Sequence, residues 1–150
     1  MSRSKLCPIF EQCGLCSLLP HSQEEEQQQK VHRLQRLFSK PIQFVESPVL
    51  LGYRKRISLR CDKQGNLGYH QPKSHTLIPI KECVIADPII NQTIAQLPPC
   101  PVPIQSIEFR SNGTQVSAQI YSTKGKMPAA KKLRSWLSPF VNGIALDRRI

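Results

Sequence analysis

Three of the chain's six cysteines fall within ten residues near its start, in the stretch CPIFEQCGLC at positions 7–16. The spacing Cys7-x5-Cys13-x2-Cys16 constrains local structure more than any other feature. So many thiols on so short a segment imply a shared metal, a set of disulfides or an accident of composition. The stretch MSRSKLCPIF carries two basic residues with no apolar run behind them, so it does not read as a secretory signal. The expected location is cytoplasmic, where thiols stay reduced. Six cysteines in that compartment point to a metal or redox site in preference to a disulfide framework.

Each thiol is a soft donor that loses its proton when a metal binds. Cys13 and Cys16 are spaced to wrap one ion or one cluster, and Gly14 between them lets the backbone turn so that both sulfurs face inward. A closed four-ligand site takes its last donor from later in the chain. The candidates are Cys61, Cys83, Cys100, His21, His32, His70 and His75. Zinc ligands usually come as two close pairs, and no second C-x2-C occurs here. A four-iron cluster held by four thiolates accommodates a three-plus-one arrangement. Spacing alone leaves zinc and iron–sulfur both open.

The net charge is +11 and unevenly spread. YRKRISLRCDK at 53–63 carries Arg54, Lys55, Arg56, Arg60 and Lys63 against Asp62, and the stretch from Lys124 to Arg149 holds seven basic residues against one acid, Asp147. Such an excess implies a polyanionic partner, most often nucleic acid, through phosphate neutralisation. No apolar run approaches the roughly 18 residues of a membrane span. An apolar fraction of 39% supports a modest core, and 13 prolines imply short elements with stiff connections.

SQEEEQQQKVHRLQRLF at 22–38 predicts a helix: Ser22 and Glu25 form a capping box, acids fill the first turn and bases the later ones. Val31, Leu34 and Phe38 give it one narrow buried stripe. GYRKRISLR, LGYH and HTLIPIKEC predict an antiparallel meander with a basic exposed face. Asp87 and Pro88 mark a second helix start, with Ile90, Ile94 and Leu97 on its buried side. PPCPVP is a stiff connector, and SIEFRSNGTQVSAQIYS predicts a hairpin. MPAAKKLRSWLSPF predicts a further amphipathic helix, begun near Pro128, with Leu133, Trp136, Leu137 and Phe140 inward. GIALDRRI supplies one more strand. The fold class is α+β: a cysteine-bearing segment and helix over 1–45, then over 46–150 a mixed, largely antiparallel sheet with two further helices and no Rossmann domain.

CPIFEQCGLCSLL followed by a Gln-rich helix resembles the iron–sulfur signature of the RNA uracil-C5 methyltransferases, which runs C-x5-C-G-G-C. LGYRKRISLR resembles that family's basic strand, GNLGYHQPKSHTLIPIKEC the strands that end at the fourth cluster cysteine, and CVIADPIINQTI the segment after it. The resemblance covers residues 5–149. It implies a 4Fe–4S cluster on Cys7, Cys13, Cys16 and Cys83, with Cys61 and Cys100 outside the ligand set. It also implies structured RNA, ribosomal RNA first, as the partner. Arg54, Lys55, Arg56 and His75 would contact it, with Lys131, Lys132 and Arg134 as a second basic face. Tyr53 and Tyr69 are read equally as stacking platforms and as packed strand residues, and Trp136 as core.

The chain departs from the family at Leu15, where a second glycine is usual, and at Val84, where proline is favoured. The larger departure concerns the S-adenosylmethionine-binding Rossmann-like domain with its catalytic cysteine and glutamate. The 150 residues contain no glycine-rich strand–turn–helix with an acidic ribose partner. The expectation is a truncated chain that is inactive alone, its cluster structural, with S-adenosylmethionine entering only if a methyltransferase domain is supplied in trans. The other reading of the same residues is a non-enzymatic zinc-binding RNA- or ribosome-associated module.

Overall fold

A computed structural model describes residues 3–122 and 129–148. Lys124, Pro128 and Arg149, which the sequence places in the basic stretch and at a helix start, lie outside the described residues. Six strands form one sheet: β1 (Arg56–Cys61), β2 (Leu67–His70), β3 (Leu77–Pro79), β4 (Ser106–Ser111), β5 (Val116–Ser122) and β6 (Gly143–Arg148). Their order is β3-β2-β1-β4-β5-β6. All neighbours are antiparallel except β5 and β6, which run parallel because a helical crossover brings the chain back to the starting edge. The expected α+β fold with a mixed, largely antiparallel sheet is therefore observed.

Alternation along the strands sorts side chains to two faces. Ile57 and Leu59 of β1, Ile107 and Phe109 of β4, and Val116, Ala118 and Ile120 of β5 share one face and are fully buried. Two helices cover that face, α3 (Pro88–Gln96) and α4 (Ala130–Leu137). α3 contributes Ile90 and Ile94, and α4 contributes Leu133, Trp136 and Leu137, to the same core. Trp136 is core as expected; its indole N–H donates to the Pro98 carbonyl at 3.0 Å, tying α4 to the proline-rich connector. The connector lies tight against the β1–β2 turn. Gly65 has φ +86, and a Cβ there would stand 2.4 Å from the Cys100 carbonyl oxygen, so only glycine fits.

The N-terminal part is looser. A single helical turn, α1 (Phe10–Cys13), ends on Gly14, which adopts φ +61 and returns its amide to the Phe10 carbonyl. α2 (Gln23–Gln35) has the predicted capping box, with the Ser22 hydroxyl accepting from the Glu25 amide and the Glu25 carboxylate from the Ser22 amide. Its predicted buried stripe is not there. No residue of α2 is buried, Leu34 is 39% exposed, and the helix ends before Phe38, which is 57% exposed. Periodicity supplied an apolar edge, but no described element packs broadly against it. β1 also starts later than its alternating pattern implies, because the backbone at Arg54 pairs with Ala86 instead of with β4. Tyr53 is exposed as a result. No described helix is long and apolar enough to cross a membrane.

Asp87 joins β1, α3 and β4. Its carboxylate caps α3 by accepting from the Ile89 amide at 3.0 Å, accepts from the Ser111 hydroxyl at 3.0 Å and pairs with the Lys55 ammonium. Burial works against its charge, but the Lys55 ammonium and these hydrogen bonds outweigh burial and hold the carboxyl below the usual carboxylate range. A depressed folded pKa gives stability that is complete above the ordinary range and lost as pH falls through the folded value. Asp87→Ala is expected to cost about 2–4 kcal/mol at neutral pH, from the lost cap, the lost Lys55 pair and the lost bond to the half-buried Ser111 hydroxyl. The gap to the wild type should close as pH is lowered below about 4. Urea denaturation of both proteins between pH 3 and 7 checks the magnitude and the sign.

Candidate functional site

Cys7, Cys13, Cys16 and Cys83 line one small cavity. Three of them arrive on the α1 turn. The Phe10 amide donates to the Cys7 carbonyl at 3.2 Å and the Cys13 amide to the Ile9 carbonyl at 2.8 Å, and the left-handed Gly14 then reverses the chain toward Cys16. Cys83 arrives from the end of the meander and is fixed through its backbone. Its amide donates to the Asn91 side-chain oxygen at 2.9 Å, and the Asn91 amide nitrogen donates to its carbonyl at 3.0 Å. This two-way clamp carries the position of α3 directly to Cys83.

The remaining walls are Ile9, Phe10, Val84 and Ile85, with Tyr69 and Arg54 as the polar members. Burial, and after it the neighbouring Cys83 and Cys7 sulfurs, pushes the Cys13 thiol up, against a hydrogen bond from the Leu15 amide. Cys16 is also pushed up, by burial and by Cys83, with Arg54 pulling the other way. Tyr69 is pushed up by burial and by the neighbouring Cys83 sulfur. Of its two expected roles, the packed one is observed. The four sulfurs thus stand close enough to oppose one another's ionisation, the situation that a bound cationic centre relieves.

Among the described residues, no three histidine, cysteine, aspartate or glutamate side chains are set to hold a single metal ion. A mononuclear zinc site needs its sulfurs within about 3.8 Å of one another, the edge of a tetrahedron with ~2.3 Å bonds. The metal expectation therefore meets a shared thiol pocket and not a formed coordination shell. Of the other candidate fourth donors, none lines the cavity. Cys61 donates to the Asp62 carbonyl at 3.5 Å and Cys100 to the Val102 carbonyl at 3.2 Å, and the nearness of Cys100 together with burial pushes the Cys61 thiol up.

The basic run at 54–56 divides three ways. Arg54 borders the cysteine cavity and also an outer groove of about 340 Å³ lined by Tyr53, Leu15 and Lys30. Lys55 turns to Asp87, and Arg56 to Glu108 of β4. His75 is exposed in the β2–β3 turn with its ring edge-on to His70, centroids 5.8 Å apart. Lys131, Lys132 and Arg134 are exposed on α4, away from the sheet. Sequence reasoning missed Asn91 as the clamp on Cys83; an asparagine eight residues after a cysteine, inside a capped helix, was the available signal. It also missed Arg110, whose place beside Arg56 follows only from strand register.

No protein-family model matches the chain. The 23S rRNA (uracil(1939)-C(5))-methyltransferase RlmD of Chromohalobacter salexigens is 31% identical over 109 residues, covering 67% of this chain and 23% of that protein. The tRNA (uracil(54)-C(5))-methyltransferase of Pyrococcus horikoshii is 29% identical over 92 residues, or 61% of this chain and 22% of that one. The homologues of this chain are uracil-C5 RNA methyltransferases. The crystal structure of the Pyrococcus abyssi tRNA (uracil-54, C5)-methyltransferase in complex with S-adenosyl-L-homocysteine superposes with a TM-score of 0.64 over 90% of this chain and 37% of that one. At 16% identity that likeness shows the fold. The chain spans less than a quarter of the length of the RlmD and tRNA methyltransferase relatives it matches.

The clamp gives a direct test of how Cys83 is held. Asn91→Ala removes both hydrogen bonds to the Cys83 backbone and should destabilise the fold by about 1–3 kcal/mol. Asn91→Asp keeps the acceptor for the Cys83 amide but loses the donor, and should fall between. Chemical denaturation of the two variants checks the order.

Proposed function

We propose that this chain is the cluster-bearing, RNA-gripping part of a uracil-C5 RNA methyltransferase, residues 1–45 forming the iron–sulfur segment and 46–150 the basic RNA-binding domain. The observation that carries the reading is the convergence of Cys83 with Cys7, Cys13 and Cys16 on one cavity across more than sixty intervening residues. The donor set suits a 4Fe–4S cluster: four thiols, no carboxylate or imidazole, and otherwise largely apolar walls. Three early cysteines and one distant one, with no second close pair, suit a four-thiolate cluster better than the paired ligands of the zinc module.

When bound, the cluster supplies a covalent staple between the N-terminal segment and the sheet, and no electrons are asked of it, because methylation of uracil is not a redox reaction. The closed loop from residue 16 to residue 83 lowers the entropy of the unfolded chain. Arg54 lies beside the thiols, where a guanidinium offsets the negative charge of a thiolate-bound cluster. The basic side chains Arg54, Arg56, His75, Lys131, Lys132 and Arg134 hold structured RNA, ribosomal RNA in the first instance, by phosphate neutralisation. Lys55 contributes less, since its ammonium is committed to Asp87. Grip of this kind lets a uridine be turned out of the stack toward a methyltransferase domain, joined to this chain or supplied in trans, that binds S-adenosylmethionine and performs the transfer.

Anaerobic purification of the full chain followed by iron and acid-labile sulfide analysis tests the reading. About four of each per chain, with loss of both in Cys83→Ser together with a large drop in melting temperature, is the expected result. One zinc per chain without sulfide would replace it with the zinc module. Unchanged iron content and melting in Cys83→Ser would remove Cys83 from the ligand set.

A further inference from the structure

The helices α3 and α4 cover one face of the sheet, and the strand register shows what stands on the other. Arg56 pairs across with Arg110, Ser58 with Glu108, and Arg60 with Ser106; in β5, Ser117, Gln119 and Tyr121 continue the same rows. Among the described residues no helix packs there. Glu108 sits between the two arginines. It accepts from Arg110 Nε at 2.6 Å through one carboxylate oxygen and meets Arg56 Nε at 3.7 Å through the other. The carboxylate is covered while the two arginine side chains remain 54% and 67% exposed.

Glu108 holds Arg110 by its Nε edge, leaving the outer amino groups of that guanidinium unoccupied by this bond, and draws Arg56 in as a looser ion pair. A buried carboxylate that orders an arginine removes part of the rotamer cost of binding a further anion. Three arginines against one glutamate leave an excess of two positive charges on the strip formed by β1 and β4. Hydroxyl and amide groups of Ser58, Ser117 and Gln119 and the ring of Tyr121 lie alongside. Two acids border the strip: Asp62, two residues after Arg60 and bonded to Asn66, and Asp147 of β6, opposite Tyr121 in the register, which accepts from the Gln119 amide at 3.3 Å.

We propose that this open sheet face, centred on Arg56, Arg60 and Arg110, is the principal docking surface for a single-stranded segment of the RNA, its phosphates forked by the arginines and a base laid against Tyr121. The inference rests on the RNA-binding reading above and adds the surface. Single-stranded RNA is the occupant because its phosphates match the excess of guanidinium groups and its unpaired bases can lie on a flat polar sheet with an aromatic side chain. A duplex would touch so flat a strip at only one or two phosphates.

The test uses the full 150-residue chain, purified anaerobically, with a fluorescein-labelled mixed-sequence 12-nucleotide RNA read by anisotropy at several salt concentrations. The variant R56Q/R60Q/R110Q should bind at least 30-fold more weakly. Its plot of log affinity against log salt should also be shallower by about 2, three lost contacts at ~0.7 each. A charge-matched control, K40Q/K63Q/K73Q, removes three exposed lysines elsewhere and should change affinity less than 3-fold. Because Gln substitution strips Glu108 of its partners and could unfold the sheet, R56K/R60K/R110K, which keeps the charge but loses the planar forks, is measured too and should bind 5- to 10-fold more weakly. Equal losses in the control and the Gln variant would reduce the effect to bulk charge and overturn the proposal. Wild-type affinity in the Gln variant, or in the Lys variant if the Gln variant does not fold, would overturn it while leaving RNA binding intact. A wild-type chain that binds no RNA would end both readings.

Discussion

A short segment between Cys83 and Asn91 is what the rest of the molecule is hung on. At one end the Asn91 side chain grips the Cys83 backbone from both sides. In the middle, the Val84 and Ile85 carbonyls accept from the Gly52 and Arg54 amides at 2.9 and 2.7 Å, and the Asp87 amide returns a bond to the Arg54 carbonyl at 2.9 Å. Asp87 then caps α3 and binds Lys55 and Ser111. These are backbone and buried side-chain contacts in a shielded setting, where an unmade hydrogen bond costs more than a made one contributes. Moving the segment would expose several such groups at once, so the sheet, α3 and the thiol pocket keep a common frame.

That frame explains why the N-terminal segment can be ordered at all. α2 has no fully buried residue and only Val31 of its apolar edge is half-covered, so ordinary packing contributes little to holding residues 1–45. Cys13 and Leu19 are the buried apolar residues of that part, too few to offset the conformational entropy of ordering about forty residues. The cluster proposed at the thiols, tied to a position already fixed by Asn91, would be a small-area solution to an entropy problem that a larger core solves elsewhere in the chain.

Much of this was legible in the sequence. The Ser22–Glu25 capping box, the Asp87–Pro88 helix start, the hairpin around Asn112 and the Leu133–Trp136–Leu137 stripe all appear where residue preference and period place them, because each depends on neighbours a few positions away. The grouping of Cys83 with the early cysteines was drawn from resemblance and not from spacing, which left seven candidate donors. What could not be read was destination. Arg54, Lys55 and Arg56 look like one basic patch in the sequence, but a local turn and the Arg54–Ala86 bridge send them to the thiol pocket, to Asp87 and to the open sheet face. The helical period of Val31 and Leu34 likewise names a face without saying whether anything will cover it.

The divided fate of that run bears on how the thiol pocket and the proposed RNA surface are joined. Gly52 and Arg54 are bound to the segment that begins at Cys83, and two residues later the chain enters β1 at Arg56, the first arginine of the open face. The path by which the backbone enters β1 at Arg56 is therefore set by bonds to the same segment that holds Cys83. A polyanion binding to flexible lysines needs only charge, and would be indifferent to such an arrangement. The forked docking proposed for Arg56, Arg60 and Arg110 needs orientation, and the backbone that carries Arg56 is anchored two residues earlier, at Arg54, to the segment that begins at Cys83.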